Sequence, residues 1–349
     1  MKRFISGDWG TTNLRLRLVD SEHQQILGEI TSSQGIAATF GEWQQRTSDG
    51  QQRGPGQQAL GSEPHAAQRL SFYQSVLLRQ IHHLQEQAPL PLEGLPLVLS
   101  GMASSSLGML ELPYQPVPFG ATGEELCRRD IPASAGFGHH ILLVSGVRTA
   151  DDVMRGEETQ LIGALSPGDK GEHIAGGAPN TSGAPNTSGE RLFIFPGTHS
   201  KHVRVKDGQA LRFSTYMTGE FFHLLSTKSI LAGSVAVPFS PEGLPPSFKK
   251  GVEDSRHSGL LHNAFLVRTN QLLGAGSKED NYYYLSGLLI GEELRYIPAI
   301  PLTIVSTGRL QEHYLIACHH LGLTDINVVD ADQALVKGHC ILLSLPPDL

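Results

Sequence analysis

Cysteine is scarce in this chain, with three in 349 residues (Cys127, Cys318 and Cys340) and no C-x-x-C or zinc-type spacing among them. That excludes a disulfide framework and suits unpaired thiols in a reducing cytoplasm. Long apolar runs are missing too, none nearing the ~20 residues a membrane helix needs. Lys2-Arg3 is followed by only a short apolar stretch before Asp8, so no signal peptide is expected. A basic excess is also lacking: the net charge of -7 provides no general field for nucleic acid. The expectation is a soluble cytoplasmic protein without membrane or nucleic-acid partners. Sixteen histidines include the pairs His82-His83, His139-His140 and His319-His320. Neighbours on a helix point about 100° apart and seldom share one metal ion, so these read as surface or satisfied side chains.

What is present begins at the N-terminus. Phe4 to Leu18 places Asp8, Gly10, Thr11 and Thr12 between an apolar run and the alternation Leu14/Arg15/Leu16/Arg17/Leu18. Period two reads as a half-buried strand, so a strand–tight-turn–strand hairpin is expected, with Asp8 ending its first strand. Gly10 lets backbone approach a ligand, and the Thr11 and Thr12 hydroxyls and amides suit phosphate oxygens. Asp8 is a hard oxygen donor for Mg²⁺, directly or through water. The pattern recurs at Phe193 to Val205, where Gly197-Thr198 fall on Gly10-Thr11 and Phe195 replaces Asp8. Two related half-molecules follow, each with a phosphate-facing hairpin, and only the first serving a metal. The second offers Ser200 and Lys201 instead, a hydroxyl and a cation suited to phosphate or an acidic substrate.

Two stretches read as loop insertions that bury too little apolar area to offset ordering entropy. One is Gln44 to Ala67, and the other is the tandem Gly-Ala-Pro-Asn-Thr-Ser repeat at Gly177 to Ser188. Apolar spacing predicts helices over Leu70–Glu86, Glu157–Leu165, Tyr284–Arg295 and Gln333 to about Leu343. Strands are expected at Pro96–Leu99, Leu142–Val144, Ala210–Tyr216, Leu302–Val305 and Ile326–Val329. Strands and helices alternate in both halves, which makes an α/β protein of two lobes. The boundaries expected are 1–165 for the first lobe, 166–190 for a linker and insertion, and 191–349 for the second. A Gly/Ser loop, Ser100 to Gly108, closes the Pro96–Leu99 strand at the end where open α/β sheets bind ligands.

The paired hairpins resemble the two phosphate loops of the actin-like ATPase superfamily, which includes actin and hexokinase. Further blocks resemble the 2-dehydro-3-deoxygalactonokinase family. They are Asp8 to Arg15, Ser100-Gly101-Met102 with Gly108, Val153 to Gly163, Pro196 to Lys201, Met217 to Glu220 and Leu285 to Gly291. They run in order over most of the chain. The resemblance implies two ribonuclease-H-like lobes about a central cleft. It also implies ATP-dependent phosphorylation of 2-dehydro-3-deoxy-D-galactonate at its 6-hydroxyl, in galactonate breakdown. ATP and Mg²⁺ are the implied cofactors, with the sugar acid as substrate; a homodimer is compatible with the chain.

Phosphoryl transfer asks for positioning and charge stabilisation, and a carboxylate should take the sugar hydroxyl's proton. Glu157 and Glu158 are the candidates. Glu158 shares a face with Leu161, Ile162 and Leu165 and points inward, whereas Glu157 lies nearer the motif's glycine; either fits. The acidic substrate needs a cation, for which Arg15, Arg148, Arg155, His199 and Lys201 are available beside the loops. Arg17 is read as solvent-facing, and Arg15 shares its face. Ser100, Gly101, Met102, Ser200 and Glu220 complete the substrate side. Thr307-Gly308, after a strand, resembles the superfamily's adenosine-binding turn, and Asp330 is an accessory or a cap for the last helix. A kinase for another sugar, including the gluconate epimer, and a non-catalytic nucleotide sensor are the alternatives.

Overall fold

A computed structural model describes residues 3–49, 63–166, 172–174, 189–238 and 243–346. It divides into a first unit, 1–166 with 333–349, and a second, 167–332.

The first unit is built on a six-stranded sheet in the spatial order Gln25–Ser32, Leu14–Asp20, Arg3–Trp9, Leu97–Gly101, Ile141–Val144, Arg128–Ile131. The first three strands are antiparallel to one another, and Leu97–Gly101 and Ile141–Val144 add in parallel to Arg3–Trp9. One face of the sheet carries Ile5, Trp9, Leu14, Leu16, Leu18, Leu97 and Leu99 into a core with Tyr73, Val76, Leu77, Ile81 and Leu84. Those last five recur at helical spacing on Glu63–Gln87.

The second unit repeats this plan. Gln209–Tyr216, Ser200–Lys206, Glu190–Phe195, Leu302–Ser306 and Ile326–Asp330 lie side by side in that order, with Glu172–Ile174 beyond them. Again three antiparallel strands lead into two parallel ones. The predicted duplication thus extends from one hairpin to a whole five-strand topology in each unit, the ribonuclease-H-like arrangement of actin-like ATPases.

Several expectations change. The segment read as a loop from Gln44 to Ala67 is largely helical at both ends, as Ile36–Asp49 and Glu63–Gln87; residues 50–62 lie outside the described residues. The tandem repeat at 177–188 is also outside them. The strand Gln25–Ser32 and the helices Thr218–Lys228, Pro246–Asp254, Leu260–Leu272 and Gly308–His320 had no counterpart in the sequence reading. Arg17 does not face solvent. Its strand pairs on both sides and is covered on both faces, so the side chain is fully buried, its Nε donating to Glu29 Oε2 at 2.5 Å.

The C-terminal helix Ala331–Ser344, expected in the second lobe, packs on the first unit. Glycines decide this. A Cβ at Gly163 would come within 1.8 Å of the Ala334 carbonyl oxygen, and one at Gly338 within 2.1 Å of the Thr159 carbonyl oxygen. The helices Glu157–Leu165 and Ala331–Ser344 therefore touch backbone to backbone. Replacing Gly338 with alanine should force them apart and lower stability by about 1–3 kcal/mol, the usual range for overpacking. Urea unfolding checks this; an unchanged midpoint would contradict the contact.

Candidate active site

The N-terminal hairpin joins Trp9 to Leu14 through Gly10, Thr11, Thr12 and Asn13. Its carbonyls are tied back to the start of the helix Ile36–Asp49. Gly35 N–H donates to the Thr12 carbonyl (3.1 Å), Ile36 N–H to Gly10 (3.0 Å) and Ala37 N–H to Thr11 (3.0 Å). The first N–H groups of a helix lack partners within it, and here the turn supplies them. Gly35 has to be glycine, because a Cβ there would lie 2.2 Å from the Thr12 carbonyl carbon. With the carbonyls turned inward, Thr11 and Thr12 remain exposed, and neither donates its N–H to backbone among the described residues.

The second unit solves the problem the same way. Glu220 N–H, in the first turn of Thr218–Lys228, donates to the Thr198 carbonyl at 3.0 Å. A Cβ at Gly219 would meet the Gly197 carbonyl oxygen at 2.6 Å and Thr198 Cα at 2.7 Å. The Met217 to Glu220 block, read as a loop turn, is thus the helix start that holds Gly197-Thr198. Beside it His199 Nε2 lies 2.6 Å from Glu220 Oε2, so these two candidates engage each other. Lys201 is only 6% exposed and has no ion pair among the described residues, which leaves a sheltered cation next to the loop.

In the first unit, Asp8 stands opposite Arg15 and beside Ser100 in the sheet register. Gly101 follows with a positive φ of 86°, and a Cβ there would fall 3.3 Å from Asp8 Oδ1 and 2.8 Å from the Trp9 carbonyl. A Cβ at Gly156 would in turn lie 3.4 Å from Gly101 Cα. Two glycines therefore bring the Arg155-Gly156-Glu157 segment against Gly101 and the Asp8 strand end. Met102 opens the short 3₁₀ turn Met102–Ser104 next to them. Arg155 braces that turn, donating to the Ser104 carbonyl at 2.7 Å and stacking 4.2 Å above the Tyr114 ring.

The two glutamates now separate. Glu157 is half-buried and accepts from Arg155 N–H at 3.1 Å. Glu158 is fully buried and both its oxygens accept from Gly156 N–H, at 2.9 and 2.7 Å. Burial, and then the Glu157 charge, push the Glu158 carboxyl up to about 8. It joins a buried chain: Thr159 Oγ1 to Glu158 Oε1 (3.3 Å), Ser100 Oγ to Thr159 Oγ1 (2.8 Å), Ser100 Oγ to His339 Nε2 (2.8 Å) and Ser6 Oγ to His339 Nδ1 (2.8 Å). Burial, helped by Arg17, pushes the His339 imidazole down to about 3, so the ring is neutral. Ser100 is therefore engaged with buried groups beneath the site.

Ser200 is engaged in the same manner. Its Oγ donates to Glu293 Oε1 at 2.7 Å, His202 Nε2 lies 2.8 Å from that oxygen, and Tyr314 O–H donates to Oε2 at 2.7 Å. Thr218 Oγ1 also donates to Oε2. Glu293 and His339, both missed in the sequence, anchor the loops from below. Glu293 was readable in principle, since Leu289 and Ile290 precede it by four and three on a buried helix stripe. Thr307 precedes the helix Gly308–His320 at the end of Leu302–Ser306; Gly308 has φ 62° and open space where a Cβ would stand.

Against known families, the 2-keto-3-deoxy-galactonokinase model matches residues 8–342. The chain belongs to that family. The Escherichia coli (strain K12) 2-dehydro-3-deoxygalactonokinase is 29% identical over 354 residues, covering 96% of each chain. A Rhizobium meliloti (strain 1021) relative, given that name provisionally, is 29% identical over 346 residues, covering 96% of this chain and 94% of its own. A crystal structure from Sinorhizobium meliloti, also provisionally named so, superposes with a TM-score of 0.73 at 27% identity, over 99% of each chain. Membership of a kinase family carries ATP with it as phosphoryl donor. No helix among the described residues is long and apolar enough to cross a membrane.

The Glu158 carboxyl provides a test. Its pKa in the folded protein lies above the unfolded value of 4.5, so the folded state holds the extra proton. Its stabilising contribution is complete below pH 4.5 and is lost as pH rises toward about 8. One proton corresponds to a slope of about 1.4 kcal/mol per pH unit. Glu158→Gln should remove this decline, which urea unfolding between pH 5 and 8 would measure; identical slopes in both proteins would refute a neutral Glu158.

Proposed function

We propose that this protein transfers the γ-phosphoryl group of ATP to the 6-hydroxyl of 2-dehydro-3-deoxy-D-galactonate. The observation that carries the reading is the duplicated loop: three of its carbonyls in the first unit, and that of Thr198 in the second, are bound by a helix start, while the threonines are exposed. Such a loop presents donors to phosphate oxygens and no acceptors that would repel them. In the first unit Gly10, Thr11 and Thr12 take this part, and in the second Gly197 and Thr198. Thr307 and Gly308 are assigned to the adenosine.

Asp8 suits Mg²⁺: a hard carboxylate at a strand end, with Gly101 keeping side-chain bulk away from its Oδ1. Bound there, the ion would neutralise charge on the phosphates. Glu157 is assigned as the base that accepts the sugar hydroxyl's proton, because it is half-buried and lies next to the Gly156–Gly101 contact. Glu158, neutral and fully buried, instead holds Gly156 in place. In the first unit Arg15 is the cation assigned to the acidic substrate, with Gly101, Met102 and Arg155; in the second Lys201 is, with His199 and Glu220. A cytoplasmic location fits three cysteines that form no disulfide among the described residues.

Coupled ADP release over a panel of 2-keto-3-deoxy acids, aldonates and neutral sugars tests the activity. The galactonate-derived acid should be the best substrate, and no turnover with any sugar acid would defeat the proposal. Asp8→Asn should abolish transfer with an unchanged thermal midpoint. Glu157→Gln should lower kcat about 10²–10⁴-fold, the usual share of general-base catalysis, and Glu158→Gln far less. The reverse ranking would exchange the two roles.

A further inference from the structure

The second unit has a recess of about 240 Å³ that the kinase reading leaves unused, lined by His202, Arg204, Arg212, Ser214, Tyr216 and the Tyr296–Pro298 segment, with Leu192 at its side. Its chemistry follows from the sheet register. Arg204 stands directly opposite Arg212 and His202 opposite Ser214, on the antiparallel strands Ser200–Lys206 and Gln209–Tyr216. Spacing of two puts Arg212, Ser214 and Tyr216 on one face of their strand, alongside His202 and Arg204.

Like charges directly opposite across two strands destabilise a sheet unless something bridges them. The neighbourhood supplies little. Glu190 Oε1 lies 3.1 Å from Arg204 Nε, yet that nitrogen is buried and its N–H makes no hydrogen bond there. The Arg212 side chain makes no hydrogen bond or ion pair among the described residues, and neither do the Ser214 and Tyr216 hydroxyls. Glu293, the other nearby acid, already accepts from Ser200, His202, Thr218 and Tyr314. The Tyr216 ring packs on His202 with centroids 4.4 Å apart. Burial, and then the Glu293 charge, push the Tyr216 phenol up, so it remains a protonated donor.

We propose that this recess binds a small phosphate-class oxyanion, held between the Arg204 and Arg212 guanidiniums and receiving hydrogen bonds from Ser214 and Tyr216. Guanidinium forks match the oxygens of such an anion, and the hydroxyls supply further donors. The volume is below the roughly 300–1,000 Å³ of sites for larger organic ligands, so inorganic phosphate or a compact phosphate monoester fits and a nucleotide does not. His202 belongs both to the wall of this recess and to the Glu293 cluster that supports Ser200.

Isothermal titration with inorganic phosphate, and separately with glycerol 3-phosphate, tests the site and distinguishes the free ion from an ester. Saturable binding of either that Arg212→Gln weakens supports it, the tighter probe naming the source. Arg212→Gln should weaken that binding about tenfold or more, as expected for losing a charged hydrogen bond. Arg212 is exposed, so the variant should fold, with an unliganded thermal midpoint no lower than that of the unmodified protein because the repulsion from Arg204 is relieved; Ser214→Ala, expected to weaken binding less, serves as a second variant. No saturable binding by the unmodified protein, or equal affinity in Arg212→Gln, would overturn the proposal. Equal affinity would place the phosphate at the loops instead. Neither result depends on which sugar the enzyme phosphorylates.

Discussion

A tight turn leaves carbonyl oxygens without partners, and a helix start leaves N–H groups without partners. In each unit these two deficits cancel. Gly35, Ile36 and Ala37 satisfy Thr12, Gly10 and Thr11, and Glu220 satisfies Thr198. The form proposed above for a phosphate loop follows from that exchange: carbonyls bound by a helix start, exposed threonines, and a backbone held to a helix. Close approach is the price, and only Gly35 and Gly219 permit it.

Beneath each loop lies a buried polar anchor, and the two use opposite electrostatics. In the first unit His339 is a neutral ring bridging Ser6 and Ser100, and through Thr159 the chain ends at a neutral Glu158. In the second a single carboxylate, Glu293, gathers three hydroxyls and one imidazole. Buried polar groups are costly unless satisfied, and a satisfied network fixes its members in one arrangement. Both anchors therefore hold a strand end and a helix in the geometry that presents the loop. The first unit adds acidic groups: Asp8 Oδ1 lies beside Gly101, and Gly156, the neighbour of Glu157, meets Gly101 Cα.

Much of this was legible in the residues. The alternation after Asp8 and its echo after Phe195 located both hairpins, and the apolar spacing of Leu161, Ile162 and Leu165 placed the helix Glu157–Leu165 with Glu158 inward. Other parts had little signal. Gln25–Ser32 is an edge strand, mostly exposed or half-buried, so it lacks a clean apolar alternation. The polar end of Ile36–Asp49 resembles a loop in composition, and tertiary contact with the hairpin fixes where that helix starts.

Local periodicity and turn chemistry determined many of the elements and the duplicated loops with their glycines and threonines, because those depend on neighbours within a few positions. Only the tertiary structure decided that Arg17 is buried against Glu29 and that the last helix belongs to the first unit. It also decided that Glu158 is sheltered, held on Gly156 N–H, while Glu157 is half-buried on Arg155 N–H. Such outcomes depend on contacts between residues as far apart as Ser6 and His339, and no local pattern encodes which distant backbone a glycine will admit.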